Sequence, residues 1–136
     1  MVYKDAQTSW RRARPSIAAM LKPDLFREGV DGEAVDWACM RMSGHDASRR
    51  VLIVISDGCP MDTATGLAND PFYLDNHLKE TVARREHQGD VEIYGLGVGL
   101  DLSPYYSRCL ALDLSRGLSN RVFGDILQLL RGQRRR

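Results

Sequence analysis

RVLIVISDGCPMD, residues 50–62, is the stretch that decides the fold of this chain. An unbroken apolar run, Val51 to Ile55, stops abruptly at Ser56-Asp57-Gly58. Such a run, rich in β-branched side chains and ended by turn formers, reads as a strand of a parallel sheet, buried on both faces. Open α/β sheets gather their ligands at the carboxyl ends of strands. Asp57 stands at such an end. It is either a metal or polar-ligand carboxylate on a rigid support, or an acid that caps the next turn. The segment alone leaves both open.

Reading outward, Trp10 to Leu21 has a helical pattern, with Pro15 expected in a first turn or at a kink and Pro23 closing it. From Asp31 to Met42, Ala34, Trp37, Ala38 and Met42 recur at helical spacing, and Gly44 borders the helix. After the strand Val51–Ser56, residues 57–72 read as a long irregular segment, and a loop of that size in a small domain is more often functional than idle. Leu74, Leu78 and Val82 mark an amphipathic helix that stops at Gly89. Val91 to Val98 is a second buried strand and Cys109 to Leu112 a short third one. Val122, Ile126, Leu129 and Leu130 mark a last helix, with Ser119 as its N-cap. Strands alternating with helices imply parallel pairing and crossover connections.

Composition narrows the function classes. The 136 residues suffice for one domain, and 43% apolar with 27% charged residues is ordinary for a soluble globular protein. Lys+Arg 19 against Asp+Glu 18 leaves no global attraction to nucleic acid. No apolar run reaches the length of a membrane span and no signal-peptide pattern is present, so a cytoplasmic protein is expected. Cys39, Cys59 and Cys109 are odd in number and far apart, which argues against a disulfide framework or a zinc site. Gly95, Gly97 and Gly99 are out of register for a dinucleotide loop and are expected to allow close packing instead.

Several segments in order resemble the C-terminal von Willebrand factor A-like domain of the CobT-type subunit of aerobic cobaltochelatase. They are Ser9–Arg14 (SWRRAR), Val30–Val35 (VDGEAV), Ile53–Asp62 and Gly97–Tyr106 (GVGLDLSPYY), with Tyr73-Leu74 and His77-Leu78 at the matching spacing. The resemblance implies an α/β fold: a partial von Willebrand A-like, Rossmann-type parallel sheet with helices on both faces. It covers residues 1–130, with 131–136 a basic disordered tail. It also implies a metal-ion-dependent adhesion site drawn from three loops. Asp31 matches the second loop and Asp57 the third, with Ser56 beside it, and these are the expected metal ligands. The 57–72 loop, with Asp62, Thr63 and Thr65, would shape a docking face. The first loop, Asp-x-Ser-x-Ser, has no counterpart in Val2–Gln7, so Mg²⁺ is expected to bind weakly or not at all. Leu100 stands where the family shows His, and Thr63 where it shows an acid.

The function implied is a non-catalytic assembly module. Its partners would be an AAA+ ATPase subunit and a large chelatase subunit that inserts cobalt into a corrin ring. A truncated or phage-type relative serving another AAA+ ATPase is the alternative. A third class, a metal-dependent hydrolase, would need Asp57, Asp62 and His77 to converge. With a neighbouring strand missing, one edge of Val51–Ile55 is expected to stay unpaired. The chain should then dimerise through that edge, dock onto another polypeptide or aggregate.

Overall fold

The computed structural model describes residues 2–22, 28–115 and 117–131. In chain order the elements are α1 (Trp10–Ala18, prolonged by a 3₁₀ turn Ala19–Leu21), α2 (Asp31–Ser43), β1 (Val51–Ser56), α3 (Thr63–Ala68), α4 (Tyr73–Gln88), β2 (Glu92–Val98), β3 (Cys109–Leu112) and α5 (Asn120–Arg131). The strands form one parallel sheet in the order β1-β2-β3. No helix among the described residues is long and apolar enough to cross a membrane.

Alternation of side chains across the sheet sorts the core into two layers. Leu52 pairs with Ile93 and Val54 with Gly95, so these residues share the face on which α2 and α4 lie. Val35 and Cys39 of α2, Leu78 and Val82 of α4, and Ile93 of β2 are buried together there with Leu102 and Tyr106. Arg84 and Arg85 of α4 both bond Asp36 of α2, at 2.7 and 2.8 Å, and hold the two helices side by side. Helix α4 ends at Gly89, whose left-handed φ of 72° is the conformation glycine adopts without penalty.

The opposite face carries Tyr94, Leu96 and Leu112, all buried, and α5 packs against β3. Arg49 ties this layer together. Its guanidinium donates to both Glu92 carboxylate oxygens (2.9 and 2.7 Å), to the Tyr94 hydroxyl (3.3 Å) and to the Leu130 carbonyl in the last turn of α5 (2.8 Å). The Arg49 hydrogen bonds, ahead of all other causes, hold the Glu92 carboxyl down at about 2. Helices therefore cover both faces of the sheet, as expected.

Three local expectations are corrected. β1 is not buried on both faces: Ile53 is 38% and Ile55 67% exposed, because β1 is an edge strand and α5 reaches only as far as β3. Residues 57–72 are not wholly irregular, since α3 forms over Thr63–Ala68 once Asp62 accepts a hydrogen bond from the Thr65 amide at 2.8 Å. Pro15 lies inside α1, past its first turn. The bond it cannot donate would end on the carbonyl of Arg11, which is exposed and open to water. The expected N-cap Ser119 does accept from the Val122 amide, at 3.4 Å. Arg131 closes α5, while Pro23 and the remainder of the basic tail, 132–136, lie outside the described residues.

Glycines of β2 sit where backbone or ring approaches closely. A Cβ on Gly95 would come within 2.6 Å of the Tyr106 ring, and one on Gly97 would collide with the Leu100 carbonyl. Gly95→Ala should therefore cost about 1–3 kcal/mol, since the buried Tyr106 must leave its rotamer. Gly44→Ala, at a position with nothing within 4 Å, should stay within about 0.5 kcal/mol. Urea unfolding midpoints of the two variants check both values.

Candidate metal and docking site

The carboxyl end of β1 turns on a hydroxyl. Ser56 Oγ donates to the Gly58 carbonyl at 2.9 Å, and the Gly58 amide approaches the same oxygen at 3.4 Å. This short turn sets Asp57 outward. Its carboxylate is exposed and accepts no hydrogen bond among the described residues. Capping of the next helix falls to Asp62 instead, so the capping alternative for Asp57 is not what the chain uses.

Asp31 is the first residue of α2, with Val30 at the N-cap and no side-chain cap bond. Helix capping is thus not its role either. The side chain is half-buried and folds back towards Gly29, where a Cβ would lie 3.1 Å from Asp31 Oδ1. Burial pushes the Asp31 carboxyl up. The carboxylate stands at a groove of about 270 Å³ between α2 and β1, whose other walls include Ala34, Ala38, Ile53 and Ile55. Tyr106, almost fully buried below, has its phenol pushed up to about 12, first by burial and then by the Asp31 charge.

The segment before α2 and the loop after β1 are stitched together. The Gly29 amide donates to the Met61 carbonyl at 2.9 Å, an isolated antiparallel bridge. Next to it, Glu28 accepts from the Thr63 amide (2.7 Å) and the Thr63 hydroxyl (2.6 Å), and these bonds hold its carboxyl below the usual range. The Asp31 and Asp57 loops are thereby one unit. Tyr105, between β2 and β3, donates its hydroxyl to Asp75 of α4 at 2.5 Å. Burial raises the Tyr105 phenol most, and the hydrogen bond to Asp75 raises it further.

Of the residues expected at a docking face, Asp62 and Thr65 bond each other in the α3 cap and Thr63 is held by Glu28. They lie on the loop that borders Asp57, with their polar groups engaged internally. His77 lies elsewhere, against Gly32 of α2 and stacked on Tyr73 at 6.1 Å. Among the described residues no group of three or more His, Cys, Asp and Glu is assembled to hold a metal ion, so Asp57, Asp62 and His77 do not form the cluster a hydrolase would need. Cys39 and Cys109 have thiols pushed up by burial, the opposite of an activated nucleophile.

Asp57, Asp31 and Ser56 offer hard oxygens, the donor type that suits Mg²⁺. The Asp31 carboxyl is raised by desolvation and is given no hydrogen bond among the described residues. The residues present fit the group in chemistry but supply only part of a shell. Glu28 and Tyr106 were not singled out from sequence. For Tyr106 a signal existed in Gly95, the gap that its ring fills; for Glu28 there was none, because its partner Thr63 lies 35 residues away.

The family model for the VWA domain of cobalamin biosynthesis protein CobT matches residues 1–132 of the 136-residue chain. No solved structure matches it.

The raised Asp31 carboxyl fixes the sign of a pH effect. A folded-state value above the unfolded one means that the native state binds the extra proton, so stability falls as pH climbs from the unfolded value of about 3.9 through the folded one. Asp31→Asn should therefore be more stable than the parent at pH 7, and the gap should close towards pH 4. Urea midpoints at the two pH values measure it, and an unchanged gap would place the Asp31 carboxylate in water.

Proposed function

The chain belongs to the family of VWA domains of cobalamin biosynthesis protein CobT, and from that premise we propose that it acts as a non-catalytic docking module within an ATP-driven cobalt chelatase. Its partners are an AAA+ ATPase subunit and a large chelatase subunit that handles cobalt and the corrin ring. The reading rests on one observation above others. The loops carrying Asp31 and Asp57 are fastened to each other through Gly29–Met61 and Glu28–Thr63, yet Asp57 itself is exposed and accepts no hydrogen bond among the described residues. An exposed carboxylate without an internal partner among the described residues supports a role towards an external group.

Asp57, Asp31 and Ser56 are the residues that would hold Mg²⁺. When bound, the ion supplies a positive site that a partner's carboxylate can share. Ser56 keeps a lone pair available while its proton is spent on Gly58, and this keeps the hydroxyl oriented. Asp31 gains from a nearby cation what burial costs it. The α3 cap and the Glu28–Thr63 bonds keep the bordering loop from collapsing over Asp57. No step of bond making or breaking falls to this chain; its work is to present a charged, rigid face to a moving ATPase.

Asp57→Asn tests the reading, because it removes the charge and keeps the shape. Being exposed and unbonded, the position should lose less than about 1 kcal/mol of folding stability. Capture of the AAA+ subunit in the presence of Mg²⁺ should fall at least tenfold, and chelation of the Mg²⁺ should do the same to the parent. Unchanged capture by the variant would remove Asp57 from the docking face. Calorimetry of the chain alone should find only weak Mg²⁺ binding, since two carboxylates and a hydroxyl leave most of an octahedral shell to water.

A further inference from the structure

Helix α1 breaks an electrostatic rule that α2 and α4 keep. α2 carries Asp31 and Glu33 in its first turn and Arg41 in its last, and α4 carries Asp75 in its first and Arg85 and His87 in its last. Both set acids at the positive end of the helix dipole and cations at the negative end. α1 has no acid in its first turn and no cation in its last, and Arg11 and Arg12 stand in the first turn instead. Ser9, its N-cap residue, makes no side-chain cap bond that would offset them.

Nor do neighbouring groups compensate. Arg11, Arg12 and Arg14 are exposed and make no ion pair among the described residues. From residue 6 to residue 23 the sequence holds these three arginines and Lys22 but no acid. Other cations of the chain are engaged. Glu92 binds Arg49, Asp75 binds Lys79, and Asp36 binds both Arg84 and Arg85. Arg41 and Arg108 lie over the rings of Trp37 and Tyr94. Three like charges within four residues therefore oppose one another and the helix dipole, with no internal counter-charge among the described residues. A local rule broken without internal compensation is a mark of a functional surface.

We propose that the exposed face of α1 docks an acidic peptide segment of a partner, with Arg11, Arg12 and Arg14 pairing its carboxylates. Arg11 and Arg14, three residues apart, share one face of the helix, and Arg12 flanks them. Guanidinium forks match carboxylates in bidentate fashion. A nucleic-acid site would spread its cations over about six to ten phosphates. Three arginines on a helix of nine residues, in a chain of net charge +1, suit a short acidic peptide instead. The pairing draws on none of Asp31, Ser56 and Asp57 and needs no Mg²⁺.

Fluorescence anisotropy of a labelled decaglutamate peptide, titrated with the full chain at about 50 mM salt, should show saturable binding with a Kd on the order of 10 μM. Arg11→Gln/Arg12→Gln/Arg14→Gln should weaken it about tenfold, since three exposed ion pairs are lost together. Arg121→Gln, at an exposed arginine of α5, should change it less than about twofold. Raising the salt to about 200 mM should weaken the parent far more than the triple variant. The urea midpoint of the triple variant should hold or rise, because the charges removed opposed the dipole. Absence of saturable binding overturns the proposal, as does binding that ignores the triple variant or falls equally with Arg121→Gln. A triple variant that unfolds or loses midpoint overturns it too, because the arginines would then be held within the chain. So does tighter binding of a ten-nucleotide oligothymidylate than of the peptide, which would make the face a nucleic-acid site.

Discussion

Parallel pairing of β1 with β2 is the constraint on which the rest of this molecule depends. It aligns Ser56 with Gly97, so the turn carrying Asp57 emerges beside the glycine-rich end of β2. It requires a crossover, which α4 supplies by packing Leu74, Leu78 and Val82 into the core.

A second layer of constraint joins two loops that are distant in the chain. The Gly29–Met61 bridge and the Glu28–Thr63 bonds join the start of α2 to the loop after β1. Asp31 borders the α2–β1 groove, and Asp57 stands in the turn that ends β1. On the far side, Arg49 binds Glu92, Tyr94 and the end of α5, so the first residues of β1 are fixed. The chain as a whole belongs to the family of VWA domains of cobalamin biosynthesis protein CobT.

The helices and strands were legible because their signals are local. Leu74, Leu78 and Val82 repeat at helical spacing, Gly89 ends α4 with a positive φ, and Val51–Ile55 has the β-branched content of a strand. Pro15 lies inside α1 past its first turn, four residues after the exposed Arg11 whose carbonyl it leaves without that helix partner. Helix α3 went unread because its cap depends on one short contact, Asp62 to Thr65, in a stretch without apolar periodicity. Asp31 and Asp57 were found as candidates, but their lack of internal bonding could not be read from a string of letters. Either acid could have served as a helix cap.

By itself the sequence determined the parallel α/β architecture, the order of its elements apart from α3, and the family, since periodicity, β-branching, turn residues and motif order are properties of neighbouring positions. Tertiary structure alone decided that Glu28 would clasp Thr63, that Tyr106 would fill the space left by Gly95, and that Arg49 would bind β2 and α5 at once. It also decided that β1 would stand at the edge with Ile53 and Ile55 uncovered. An apolar run says that a strand seeks burial; which face and which edge obtain it depends on elements distant in the chain, and here α5 stops at β3.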